Sequence, residues 1–193
     1  MLSILIVRPG STELDAQGRI KGSLNMPLND EGESQVKATA GELSHTPIQV
    51  IYTAPCQSAS QTAQAISEAT GAKVRELESL TNLDHGLWHG KLINDVKRSQ
   101  PKVYKRWQED PQSVCPPQGE TITDAAQRAQ KAIRKILKKH RDGVVALVAS
   151  EPIASVVVCL LSDADLGDLW KSECDRGNWE IIEVEPRKLL AAI

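Results

Sequence analysis

The chain has 193 residues, 40% of them apolar and 25% charged, with 23 lysines and arginines against 25 aspartates and glutamates. That length suits one well-buried core, so a single domain over residues 1–193 is expected, and the composition is that of a globular chain. A net charge of -2 makes no electrostatic case for nucleic acid or an anionic membrane, and no stretch approaches the ~20 apolar residues that span a bilayer.

In chain order, the first predicted element is a strand over Leu2–Val7, nearly all apolar and so suited to burial on both faces of a sheet. It runs into the turn Arg8-Pro9-Gly10, and Arg8 leaves the apolar run too short for a signal peptide. A helix is expected at 30–44, a strand at Gln49–Thr53, a helix at 57–70 and a strand at Lys73–Leu77. Between 78 and 120 the pattern loosens, punctuated by Gly86, Gly90, Pro101, Pro111 and Pro116-Pro117, as in an insertion lying over the sheet's C-terminal edge. The clearest helix follows at 123–140, where Ile122, Ala126, Ala129, Ile133, Ile136 and Leu137 keep a helical stripe and Thr121 or Thr123 caps the start. A strand at Val144–Ala149, a helix at 152–161 and a strand at Trp179–Val184 complete the pattern. Strands alternating with helices predict an α/β fold with a mainly parallel sheet. With no phenylalanine, the core is built from Leu, Ile, Val and Ala.

Few side chains single themselves out. Cys56, Cys115, Cys159 and Cys174 show no metal-type spacing and read as reduced thiols of a cytoplasmic protein. His45, His89 and His140 sit in polar or helix-end contexts and are expected at the surface. The basic run from Arg134 to Arg141 ends a predicted helix, where the macrodipole favours cations, and the chain's acidic balance argues against reading it as a nucleic-acid patch.

Several segments, taken together, resemble the histidine phosphatase (phosphoglycerate mutase-like) superfamily. Arg8-Pro9-Gly10 with Ser11-Thr12 is similar to its opening Arg-His-Gly and small polar pair. Gly18-Arg19-Ile20-Lys21-Gly22, Pro27-Leu28-Asn29-Asp30-Glu31-Gly32 and Gln35 follow at the family's spacing. So do Ile51–Pro55 with Gln61-Thr62-Ala63, Leu80 with Gly86-x-Trp88-x-Gly90, and Gly119-Glu120-Thr121. Val145–Ser150 into Glu151 resembles the strand that ends in Ser-His-Gly. The resemblance implies a three-layer α/β/α sandwich.

It also implies where a phosphate pocket lies. Arg8 is the family's phosphate-gripping arginine, while Pro9 stands at the nucleophilic histidine, Asp15 at an asparagine and Ser58 at a second arginine. Asn82 stands at the general-acid glutamate and Glu151 at the second histidine. Pro9 has no side-chain nucleophile, and phosphoryl transfer through a covalent intermediate requires one. These six positions hold one cation and two carboxylates where developing negative charge needs preorganised positive charge. An ion pair of Arg8 with Asp15 or with Glu151 is expected.

The reading that follows is a catalytically inactive histidine phosphatase-fold protein acting by binding a small-molecule ligand or a protein, with Arg8, Asp15 and His85 as a binding remnant at the pocket rim. A homodimer is compatible with this, and no metal or cofactor is implied, since Asp15, Asp84, His85 and Glu151 lack ligand spacing. Two rivals are an enzyme of altered chemistry using Glu151, Asp15 or His85, and a weak phosphomonoesterase related to phosphoglycerate mutases. Trp88, Tyr104 and Trp107 are the aromatic residues of the 78–120 region available as interface anchors or core.

Overall fold

The computed structural model describes residues 1–162, 164–172 and 176–192. Five strands form one sheet: β1 (Leu2–Val7), β2 (Ile48–Thr53), β3 (Lys73–Glu76), β4 (Gly143–Val148) and β5 (Trp179–Val184). Their order is β3-β2-β4-β1-β5, with β5 alone antiparallel to its neighbour. The expected strand bounds hold to within about one residue at each end, as is usual for strand ends.

Helices flank the sheet. α1 (Glu13–Ala16) is a single turn after β1, and α2 (Asp30–Leu43) packs against α3 (Gln57–Thr70). α4 (Ile93–Ser99) and α5 (Pro101–Glu109) lie in the 78–120 excursion, and α6 (Ile122–Lys139) packs against α7 (Ile153–Ser162). α8 (Leu169–Ser172) and α9 (Pro186–Ala192) close the chain. Thr121, of the two candidate threonines, caps α6, its hydroxyl accepting from the Asp124 N–H at 3.1 Å. Among the described residues no helix is long and apolar enough to cross a membrane.

The core is centred on β1 and β4, whose side chains from Ile4 to Val7 and from Val145 to Val148 are almost wholly enclosed. Helix α6 buries Ala125, Ala129, Ala132, Ile133, Ile136 and Leu137 as one continuous stripe. The excursion is fastened to the rest of the fold rather than hanging free: Arg19 bridges Leu92, and the Ile20 N–H donates to the Lys91 carbonyl at 2.9 Å. It also contributes Trp88 and Trp107, 1% and 0% exposed, to a ring cluster with Trp170 and the stacked pair Tyr104–Trp170. Trp88 and Trp107 are therefore core, and Tyr104 is half-buried beside them.

Candidate functional site

Register places the site. Val7 pairs with Val148 and Val148 with Thr53, so three parallel strands end level with one another. The loops that leave them carry Arg8-Pro9-Gly10, Ala149-Ser150-Glu151 and Ala54-Pro55-Cys56. In an open α/β sheet, the C-terminal ends of the strands are where ligands bind. Close packing fixes the first loop: Gly10 and Gly32 lie against each other's segments, and a Cβ on Gly32 would collide with the Ser11 carbonyl.

Arg8 is held on all sides. Its Nε donates to Glu151 Oε1 at 2.6 Å, its second terminal nitrogen pairs with Glu180 Oε1 at 2.8 Å, and the remaining one reaches Asn178 Oδ1 at 3.4 Å. The side chains of Arg8 and Glu151 are 10% and 0% exposed. Of the two partners the sequence left open, the structure selects Glu151. Burial works against charge on Arg8, but Glu151 and Glu180 outweigh it and hold the guanidinium firmly protonated. The same burial pushes the Glu151 carboxyl above the ordinary carboxylate range, with Arg8 and Ser155 pulling the other way. Glu151 Oε2 accepts from the Ser155 N–H at 3.1 Å, inside the first turn of α7, where the helix dipole favours a negative charge.

The other pocket positions are structural ties. Asn82 Nδ2 donates to the Gly22 carbonyl at 3.0 Å and to the Glu151 carbonyl at 2.7 Å. Asn82 therefore clamps two loops instead of presenting an acid. Ser58, 1% exposed, accepts at its carbonyl from the Thr62 hydroxyl at 2.7 Å, and its own Oγ lies 3.7 Å from Cys56 Sγ.

Asp15 does not touch Arg8 through any described contact; it anchors a second cluster. Its Oδ2 accepts from the Thr12 N–H and hydroxyl at 2.8 and 2.7 Å and pairs with Lys21 at 3.2 Å. Its Oδ1 pairs with Arg176 at 2.5 Å. Burial alone would raise this carboxyl, but Lys21 and Arg176 hold it below the ordinary range. A cleft of about 290 Å³ opens beside the cluster, walled by Ser11, Asp15, Arg19, Glu31, Gln35 and Arg176. The two clusters are joined through the backbone, because the Gly177 N–H donates to the Pro9 carbonyl at 3.0 Å and the Arg8 N–H to Asn178 at 2.9 Å.

Lys21, Arg176 and Glu180 were not among the residues expected from sequence. With them the site holds three cations and three carboxylates, so the negative excess counted at the six family positions is cancelled.

His85 is a correction. It is not at a rim but fully enclosed, its ring 5.6 Å from Trp107 and 6.4 Å from Trp88. His89 and His140 are likewise half-buried rather than superficial. His89 Nε2 accepts from the His85 and Ser23 N–H groups, and His140 meets the Tyr52 hydroxyl at 2.9 Å. His45 is exposed, as expected. Cys56 and Cys159 are half-buried and Cys115 is exposed, all as free thiols, with burial pushing Cys159 up to about 11. Cys174 lies outside the described residues.

An α/β sheet with its loops gathered at level strand ends, an arginine at the first of them, and helices on either side defines the phosphoglycerate mutase-like class of fold. The chain belongs to the histidine phosphatase superfamily (branch 1), whose family model matches residues 4–191. It is 30% identical to phosphoserine phosphatase 1 of Hydrogenobacter thermophilus over 188 residues, 97% of this chain and 89% of that protein. It is 30% identical over 181 residues to the bifunctional protein Rv2228c of Mycobacterium tuberculosis, of which it spans 50%. The solved structure of Bacillus stearothermophilus YhfR superposes with a TM-score of 0.83 at 23% identity, covering 95% of this chain and 92% of that one.

Proposed function

We propose that this chain is a pseudophosphatase: a histidine phosphatase-fold protein that works by binding and has lost phosphoryl transfer. The observation that carries the reading is the Arg8–Glu151 pair, 2.6 Å long and enclosed, beside a proline in place of the nucleophile. In the family an arginine at this position grips phosphate. Here two carboxylates, Glu151 and Glu180, occupy that guanidinium. A phosphate dianion entering would meet repulsion of about 2 kcal/mol from each close carboxylate even in water-like screening, and would also have to displace a hydrogen-bonded buried partner. Nothing at Pro9 can accept the phosphoryl group, and Asn82, spent on two carbonyls, offers no proton to a leaving group.

The competing reading, a weak phosphomonoesterase, draws on the name of the Hydrogenobacter relative. Hydrolysis of p-nitrophenyl phosphate and of O-phosphoserine, from acidic to neutral pH, separates the two. The pseudophosphatase reading expects no turnover above that of Arg8→Ala. Turnover that collapses in a folded Arg8→Ala variant would overturn it.

A further inference from the structure

We infer that the outer face of α6 is a docking surface for an acidic segment of a partner protein. Residues 125–141 contain seven lysines and arginines and no aspartate or glutamate, in a chain whose total charge is negative. Lys131, Lys135, Lys138 and Lys139 are all exposed and stand at i, i+4, i+7 and i+8, which places them on one side of the helix. The stripe is about 12 Å long at 1.5 Å per residue. The macrodipole accounts for cations in the last turn only, so it explains Lys138 and Lys139 but not Lys131 and Lys135.

Some exposed cations elsewhere pair with a carboxylate on their own or a neighbouring turn, as Arg98 does with Asp95, Lys105 with Glu109 and Lys188 with Glu185, and on α6 the half-buried Arg128 pairs with Glu120. Among the described residues, Lys131, Lys135, Lys138, Lys139 and Arg141 have no such carboxylate. The patch continues sideways onto β3, where Lys73 and Arg75 are exposed and share a face by the two-residue period of a strand. Arg75 lies near enough to act electrostatically on His140, which caps the end of α6, and on Tyr52 of β2. Concentrating like charge in this way is unfavourable for the free protein and is relieved when an anionic partner covers it.

Charge and shape select the partner. No apolar side chain accompanies the four lysines along the stripe, whereas helices that lie in a bilayer surface carry an apolar face outward. Nucleic acid offers a long uniform polyanion that extends well beyond a stripe of this length. A short run of carboxylates matches a stripe of about 12 Å.

This extends the binding-protein reading above, yet its test does not depend on phosphatase activity. The probe is a fluorescent decaglutamate peptide, titrated at 50 and 200 mM salt. Binding is expected at the lower salt and should weaken at least tenfold at the higher. It should be lost in Lys131→Gln/Lys135→Gln/Lys138→Gln, and the His140 ring, followed by NMR, should titrate at higher pH when peptide is bound. No binding at 50 mM salt, binding unchanged in the triple variant, or tighter binding of a 20-base-pair DNA or phosphatidylserine vesicles would each overturn the proposal. Turnover of phosphomonoesters would overturn the pseudophosphatase reading and leave this surface as it is.

Discussion

Replacing Glu151 with glutamine tests the central feature of the site, the enclosed Arg8–Glu151 pair. Glutamine keeps the shape and one acceptor oxygen, but its amide nitrogen must face either Arg8 Nε or the Ser155 N–H, both donors. One hydrogen bond is lost, costing about 1–1.5 kcal/mol. Removing one partner of a buried ion pair costs about 3–5 kcal/mol when the other charge is left alone. Arg8 retains Glu180 at 2.8 Å, whose side chain is 42% exposed, so the charge penalty is the smaller part of that range. A total near 3 kcal/mol is expected, which shifts the melting temperature down by about 6–12 °C for a chain of this size. The paired apolar replacement Arg8→Met/Glu151→Leu should recover most of the loss, because a buried ion pair is close to energetically neutral against well-packed apolar groups. Urea titration followed by circular dichroism reads both variants. A Glu151→Gln protein within about 0.5 kcal/mol of the native chain, or a double variant no more stable than the single one, would refute the account of the pair as a buried, mutually dependent unit.

Asp15→Asn should remove part of the acid limb of stability. The Asp15 carboxyl lies below its ordinary value of 3.8, so the unfolded chain binds that proton more readily; the stabilisation is complete above pH 4 and is lost as pH falls further. Glu151 acts with the opposite sign, its raised value making the protein slightly less stable as pH climbs past 4.5; urea midpoints from pH 2.5 to 7 in the two single variants separate these slopes. Gly32→Ala places a methyl group against the Ser11 backbone and should cost at least about 2 kcal/mol, measured as a lowered melting temperature. Pro9→His alone should remain without phosphatase turnover, since Arg8 stays tied to Glu151 and Ser58 supplies no cation; measurable hydrolysis would mean the pocket is less altered than described.

The elements were legible because they depend on local pattern. The apolar runs of β1 and β4 and the stripe of α6 announce themselves within a few residues. What the sequence could not rank was pairing between distant segments. Arg8 had two candidate carboxylates, and only the level ending of β1 and β4 decides for Glu151. Lys21 sits in a segment that matched the family, but nothing in its spacing says that the ammonium turns inward to Asp15. Arg176 follows a stretch without periodicity, and Glu180 belongs to a strand, Trp-Glu-Ile-Ile-Glu-Val, whose alternation does not declare its inner face. His85 was misplaced for a related reason: besides its neighbours Trp88 and His89, the ring packed nearest it is that of Trp107, far along the chain.

The aromatic cluster makes this protein its own reporter. Three of its four tryptophans, Trp88, Trp107 and Trp170, lie in one assembly that joins the excursion to α8, while Trp179 stands apart on β5. Loosening of the excursion from α8 would separate Trp88 and Trp107 from Trp170 and change intrinsic emission and near-ultraviolet dichroism together, with no label attached. Trp179→Phe would leave a tryptophan emission arising from that joint.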